Sequence, residues 1–171
     1  MRVPSNADVS HGDLSLIRTL IVVPCLDEAK TIEPLLRKLD QQRSSASDMI
    51  VVADGGSKDG TQEIVLRVAQ ELPNVALMHN AKRIQSAAIN LAVQRFGAEF
   101  EYLIRIDAHG DYPDDYCRTL LQEAVSLEAD SIVVGMETVG FGLFQRATAA
   151  AQNSKLGNGG SKHRAGGGGE W

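Results

Sequence analysis

Asp107, His109 and Asp111 stand two residues apart at the end of a short apolar run, in YLIRIDAHGDYP from Tyr102 to Pro113. Carboxylates and an imidazole at that spacing can ligate a divalent cation or move protons. Two further polar clusters follow apolar runs in the same way. One is Pro24, Cys25, Leu26, Asp27 and Glu28; the other is DGGSKDGT, from Asp54 to Thr61. Lys82 and Arg83 open a predicted helix, where basic side chains and free helix amides could meet a phosphate. Single members also have plain structural roles open to them. Asp59 and Thr61 could cap a helix, Asp114 and Asp115 could favour the positive end of another, and Lys82 with Arg83 could be a solvated pair.

These clusters need elements to carry them. Leu16 to Val23 reads as a first strand ending at Pro24, and Thr31 as the cap of a helix with Ile32, Leu35, Leu36 and Leu39 on one face. Met49 to Ala53 is a second buried strand. The helix after Thr61 turns Ile64, Val65, Val68 and Leu72 inward and stops at Pro73. Val75 to Met78 is a third strand, and Arg83 to Phe96 a helix with Ile84, Ala87, Ala88 and Leu91 on one side. Tyr102 to Ile106 is a fourth strand, read as buried on both faces. Pro113 suits the first residue of a helix reaching about Leu127, and Ser131 to Val134 reads as a fifth strand. A connector and a further helix are expected over Met136 to Asn153. Strands alternating with helices predict an α/β fold with a mostly parallel, doubly wound, Rossmann-like sheet flanked by helices. Every cluster then follows a strand end and falls on one rim, where such sheets bind ligands. The expected layout is a loose leader over 1–15, a binding subdomain over 16–154, and a glycine-rich basic tail over 155–171.

Composition bounds the function. The chain has 171 residues, 43% hydrophobic, with net charge -5, which suits a soluble globular domain and argues against nucleic acid as a partner. Cys25 and Cys117 make no disulfide framework and fit reduced thiols in a cytoplasmic protein. No apolar run approaches the ~20 residues of a membrane span. Familiar motifs fail on spacing. No GxGxxG follows the first strand, and GGSKDGT lacks the lysine of a Walker A loop. Its DGT resembles part of a phosphatase aspartate motif, but Ser57 stands where the nucleophile would. The Asp107 segment is no EF-hand, with Tyr112 at the sixth position and Arg118 at the twelfth. What survives is a site for a diphosphate held by one divalent ion. Asp107 and His109 would supply one or two ligands, and the imidazole makes manganese at least as acceptable as magnesium.

Five stretches in order then resemble family-2 glycosyltransferases of the GT-A fold, in particular the bacterial exopolysaccharide (succinoglycan-type) branch. They are IVVPCLDEAKTI (Ile21 to Ile32), IVVADGGSKDGT (Ile50 to Thr61), NAKRIQSAAIN (Asn80 to Asn90), IRIDAHGDYP (Ile104 to Pro113) and LGNGGSKHRAGGGGEW (Leu156 to Trp171). The resemblance implies metal-assisted, inverting transfer of a sugar from a nucleotide diphosphate donor, a UDP-sugar above all. The acceptor would be a hydroxyl of a saccharide or lipid-linked saccharide. Pro24 to Glu28 would border the nucleotide, Asp54 would accept from the base, and Lys82 and Arg83 would lie near the diphosphate. Asp107, Ala108 and His109 would occupy the DxD place, with the ion, Mn or Mg, on Asp107 and His109. Two positions depart from the pattern. Gly55 replaces the second aspartate after the second strand, and His109 replaces the second DxD aspartate.

Inverting members use a later Asp or Glu as general base, in an acidic pair expected beyond Trp171. The resemblance therefore implies a donor-binding N-terminal portion, with the C-terminal part of the fold missing. Membrane helices of some members would also lie further on, putting such a protein at the inner face of the membrane. A non-catalytic nucleotide-binding or assembly module is the rival reading, favoured by the absent acidic pair. A nucleotidyltransferase would want its glycine-rich loop after the first strand; here it follows the second.

Overall fold

A computed structural model describes residues 13–134. Its elements are β1 (Thr19–Cys25), α1 (Ile32–Gln41), β2 (Met49–Asp54), α2 (Thr61–Glu71), β3 (Val75–His79), α3 (Gln85–Phe96), β4 (Tyr102–Arg105) and α4 (Tyr116–Ser126). All belong to one compact unit ending at Glu128. The four strands form a parallel sheet in the order β3-β2-β1-β4. The chain winds outward from β1 through β2 to β3, then α3 carries it back to the other side of β1. The reversal lies between β1 and β4, and an α/β sheet opens a crevice where strand order reverses.

Strand alternation divides the core in two. Ile21, Val23, Cys25, Ile50, Val52 and Ile104 face α1, α2 and α4 through Leu36, Leu39, Val65, Val68 and Cys117. Leu20, Val22, Val51 and Ala53 face α3 through Ala88 and Ala92. Each such aliphatic side chain, once buried, contributes roughly 1.5–3 kcal/mol. At the lower edge, the buried Asp48 accepts from Thr19 N at 2.8 Å, Ser44 N at 2.8 Å and Ser45 N at 3.0 Å. It thereby joins the starts of β1 and β2.

The parallel sheet and all four predicted strands through β4 are present, with several local differences. β1 starts at Thr19, because Leu14–Leu16 form a turn of 3-10 helix after Asp13. In α2, Val65 and Val68 are buried, while Ile64 and Leu72 are packed only partly. α3 starts at Gln85, not Arg83. Arg83 is left-handed (φ 58) and Ile84 is extended, its carbonyl held by Asn80 Nδ2 at 3.0 Å. The buried stripe of α3 is therefore Ala88 and Ala92, and Ile84 is 56% exposed.

β4 is an edge strand among the described residues. Ile104 is buried, but Leu103 and Arg105 are exposed, as α3 packs mainly over β1 and β2. Pro113 does not begin a helix. Gln42, itself 2% exposed, donates Nε2 to Pro113 O at 3.0 Å and accepts Cys117 N on Oε1 at 2.9 Å, so α4 starts three residues later. Lys38 adds a bond to Tyr112 O and an ion pair with Asp114 at 3.0 Å. Residues 131–134 carry no strand, and Val133 and Val134 are exposed. A short β-branched run becomes a strand only where a neighbour completes its ladder. The predicted connector, following helix and glycine-rich tail lie outside the described residues, as does most of the leader. Among the described residues no helix is long and apolar enough to cross a membrane.

Gln42→Ala deletes a donor and an acceptor in a buried setting, leaving Cys117 N without its acceptor and Pro113 O with only Tyr116 N at 3.3 Å. It should lower unfolding stability by about 2–3 kcal/mol in a urea titration. A change within 0.5 kcal/mol, about that of an ordinary surface substitution, would mean that the clasp on α4 is not formed.

Candidate functional site

Two loops at the upper ends of β1 and β2 are laced together. Gly55 N donates to Cys25 O at 2.9 Å, and Asp27 N to Ser57 Oγ at 2.8 Å. Lys58 N returns a bond to Asp27 Oδ1 at 2.7 Å. Glu28 N donates to Thr61 Oγ1 at 2.9 Å, and Ala29 N to Asp59 Oδ2 at 2.9 Å. Asp59 also accepts Thr61 N at 3.1 Å, so it ties the first residue of α2 to the neighbouring loop, while the N-cap position itself is Gly60. The lacing holds Asp27 in a left-handed conformation (φ 56), which costs an L-residue about 1–2 kcal/mol. Gly56 takes φ 89, where its missing side chain avoids that cost.

Asp54 lies beneath these loops. It is 1% exposed and accepts from Gly56 N at 2.8 Å, Ser57 N at 3.0 Å, Gln62 Nε2 at 2.7 Å and the Ser57 hydroxyl. Burial alone would raise its pKa, but the bonds from Ser57, Gly56 and Gln62 outweigh it and hold the carboxyl below its ordinary value. A base contact from Asp54 would need one of those bonds exchanged. Cys25 is buried too, its thiol 3.7 Å from Asp54 Oδ1. Burial and the Asp54 charge push that thiol up to about 12. Of the first cluster, Leu26 is the exposed apolar member, and Pro24 and Cys25 belong to the sheet.

Arg83 sits over the two glycines. A Cβ on Gly55 would meet Arg83 Cα at 3.6 Å, and one on Gly56 would meet Arg83 Nη2 at 3.6 Å and His79 Cε1 at 3.9 Å. The guanidinium therefore lies beside the loop after β2, and Lys82 next to it is exposed. Across the reversal, Glu28 Oε1 faces His109 Nδ1 at 3.3 Å, and Glu28 Oε2 accepts the Thr31 hydroxyl at 2.8 Å. The loops after β1, β2 and β4 therefore share one rim.

Asp107 is held differently from Asp54. Its side chain is 16% exposed, yet its side-chain donors are distant: Arg105 Nη2 at 3.3 Å and Gln85 Nε2 at 3.4 Å. Charge-assisted bonds run nearer 2.7–2.9 Å, so this carboxylate keeps capacity for a cation. Tyr112 shapes the turn around it. Its hydroxyl accepts Asp107 N at 2.8 Å, and a Cβ on Gly110 would come 2.5 Å from that oxygen. Ala108 is buried in the core, while His109 is 71% exposed at its side chain. Among the described residues no group of three His, Cys, Asp or Glu side chains could enclose an ion. The Asp107 and His109 donors suit an ion that takes its other ligands from substrate oxygens or water.

Comparison with known proteins decides the family. The profile of "Glycosyl transferase family 2" matches residues 20–164. The chain belongs to glycosyl transferase family 2. It is 57% identical to the succinoglycan biosynthesis protein ExoA of Rhizobium meliloti (strain 1021) over 163 residues, covering 95% of this chain and 49% of that protein. The chain thus spans about half the length of this relative. Among solved structures it is similar to a Pyrobaculum calidifontis mannosyltransferase, PcManGT, in complex with GDP-Man and Mn2+ (TM-score 0.56, 29% identity, 69% of this chain and 34% of that one). S. aureus TarS in complex with UDP shares the fold (TM-score 0.59, 21% identity, 74% of this chain and 38% of that one). The α/β sheet of this family 2 glycosyltransferase is thus a GT-A sheet.

Sequence reasoning missed Gln85, Arg105, Ser57 and Gln62 in this family 2 site. Arg105 carried a signal, since strand alternation puts it on the same face as Asp107. The pairings of Ser57 and Gln62 with Asp54 depend on loop shape, which spacing alone does not convey.

Asp54→Asn should destabilise the chain by about 2 kcal/mol or more at pH 7, because its acceptors become partly donors in a buried cluster. The lowered carboxyl pKa means the stabilisation is present above the ordinary value of 3.8 and is lost as the pH falls through the folded value. The gap between parent and variant in urea midpoints should therefore close below that pH. A constant gap from pH 7 to pH 2.5 would contradict the ionised, bonded carboxylate.

Proposed function

We propose that this chain is the donor-binding half of an enzyme that moves a sugar from a nucleotide diphosphate donor, a UDP-sugar, to a hydroxyl acceptor during polysaccharide assembly. The acceptor would be a saccharide or a lipid-linked saccharide, reached on the inner side of a membrane. The carrying observation is the under-satisfied carboxylate of Asp107 at the strand reversal, on the rim with Glu28, His109 and the Asp54 loop. The likeness to ExoA supports the polysaccharide class, and the GDP-Man and Mn2+ of the mannosyltransferase support the donor type and the ion.

In this reading Asp27, Glu28 and Leu26 border the nucleoside, on a loop stiffened by its bonds to residues 57–61. Asp54 acts through that loop, fixing the turn in which Gly55 and Gly56 pass beside Arg83. Arg83, and Lys82 beside it, balance the charge of the diphosphate. Asp107 and His109 would hold a divalent ion, Mn or Mg, which when bound stabilises charge on the leaving diphosphate. A carboxylate outside the described residues would take the acceptor proton, so this chain alone binds donor with little transfer. The relative's remaining length is where that base and the acceptor elements are to be sought.

Calorimetric titration with UDP, with and without Mn2+, tests the reading. Binding should require the ion, and Asp107→Ala should remove the metal-dependent heat while leaving the fold intact by circular dichroism. Folded protein that gives no metal-dependent heat would refute the site. If a protein extended to the relative's full length binds donor yet never transfers or hydrolyses it, a non-catalytic nucleotide-binding module is the better description.

A further inference from the structure

Arg105 and Asp107 are two residues apart at the end of β4, on the face where the first residue of α3, Gln85, reaches Asp107. The guanidinium Nη2 lies 3.3 Å from Asp107 Oδ2, and among the described residues this is the one side-chain bond Arg105 makes. Its side chain is 47% exposed, so water and open surface are available to it elsewhere. Asp107 has Gln85 on its other oxygen, a neutral donor at 3.4 Å. Arg105 is thus the single positive charge within ion-pair range of this carboxylate among the described residues.

We propose that Arg105 is an internal counter-ion for Asp107, standing where a divalent cation would stand and leaving when the cation arrives. The inference rests on Asp107 being a metal ligand and adds what sets the strength of that site. An arginine is always protonated and has no lone pair to offer, so it cannot share in coordination. Arg105 and the ion compete for one oxygen, and their like charges repel while both are near. A half-buried carboxylate without a partner would otherwise repel the diphosphate and pay for its own desolvation. With Arg105 in contact, the carboxylate is neutralised before the ion binds, at the cost of a weaker metal site. The displaced guanidinium stays on the rim, positioned to accompany the negative charge that enters with the ion. Arg105 is thereby a positioning residue, not a ligand.

The test uses Mn2+ alone, titrated into the folded chain and followed by the electron paramagnetic resonance of free Mn2+, then repeated with UDP present. Arg105→Ala should bind Mn2+ about three- to tenfold more tightly without UDP, as expected for removing one screened charge near the ion. Arg105→Lys keeps the charge and should stay within about twofold of the parent by the same reasoning. Arg105→Gln, which keeps most of the shape without the charge, stands in if the alanine variant misfolds. Equal affinity in parent and neutral variants overturns the counter-ion role while leaving the metal site intact. Weaker binding in the neutral variants also overturns it, making Arg105 a support for Asp107. If the parent binds no Mn2+ with or without UDP, the metal reading fails and this inference fails with it.

Discussion

The arrangement of the site depends on one missing hydrogen-bond donor. Val22 O accepts Ile106 N at 3.0 Å, so Val22 faces β4, and Cys25 O accepts Gly55 N at 2.9 Å, so Cys25 faces β2. Backbone groups alternate sides along a strand, which turns Pro24 toward β4. A proline has no N–H, so the ladder between β1 and β4 cannot continue past that point. The strands part where the winding direction also reverses, and β1 keeps its pairing only with β2. The gap is thus written into the main chain, and the polar residues at its edges come after the last shared bond.

The carboxylates around that gap divide by how completely they are satisfied. Asp54 and Asp48 are buried and surrounded by donors near 2.8 Å, and each joins loops or strands that would otherwise drift. Buried acceptors of this kind are costly to disturb, because removing one leaves several donors unpaired. Asp107 is also mostly covered, but its contacts are long and one comes from a half-exposed arginine. The first kind builds the scaffold, and the second is the carboxylate on which the proposed donor site rests. Gly110 and Gly56 complete the scaffold by absence: Gly110 lets Tyr112 lie where a side chain would stand, and Gly56 takes φ 89 without strain.

Much of the fold was legible in the chain. The four strands and the apolar face of α1 follow from runs of β-branched residues and from the spacing of Ile32, Leu35, Leu36 and Leu39. Helix starts were less legible. Pro113 looked like a first helical residue, but Gln42, from a distant helix, binds its carbonyl and delays α4. Arg83 looked helical, but the turn closed by Asn80 holds it left-handed. Ser131 to Val134 has strand composition and forms no strand among the described residues. At Pro113 the local preference was overruled by a contact remote in sequence, and at Arg83 by a turn closed four residues away.

The sequence by itself determined that three polar clusters follow three strands, since periodicity and turn residues are local properties. That places Asp27, Asp54 and Asp107 on one rim of any parallel sheet the strands could form. Which carboxylate is free to work was decided only by the tertiary structure. Freedom there means the number and closeness of donors around an oxygen, and those donors, Gln62, Ser57, Gln85 and Arg105, come to their partners through loop shape and helix placement. Identical residue types therefore ended in different surroundings, Asp54 enclosed by close donors and Asp107 met only at 3.3 and 3.4 Å.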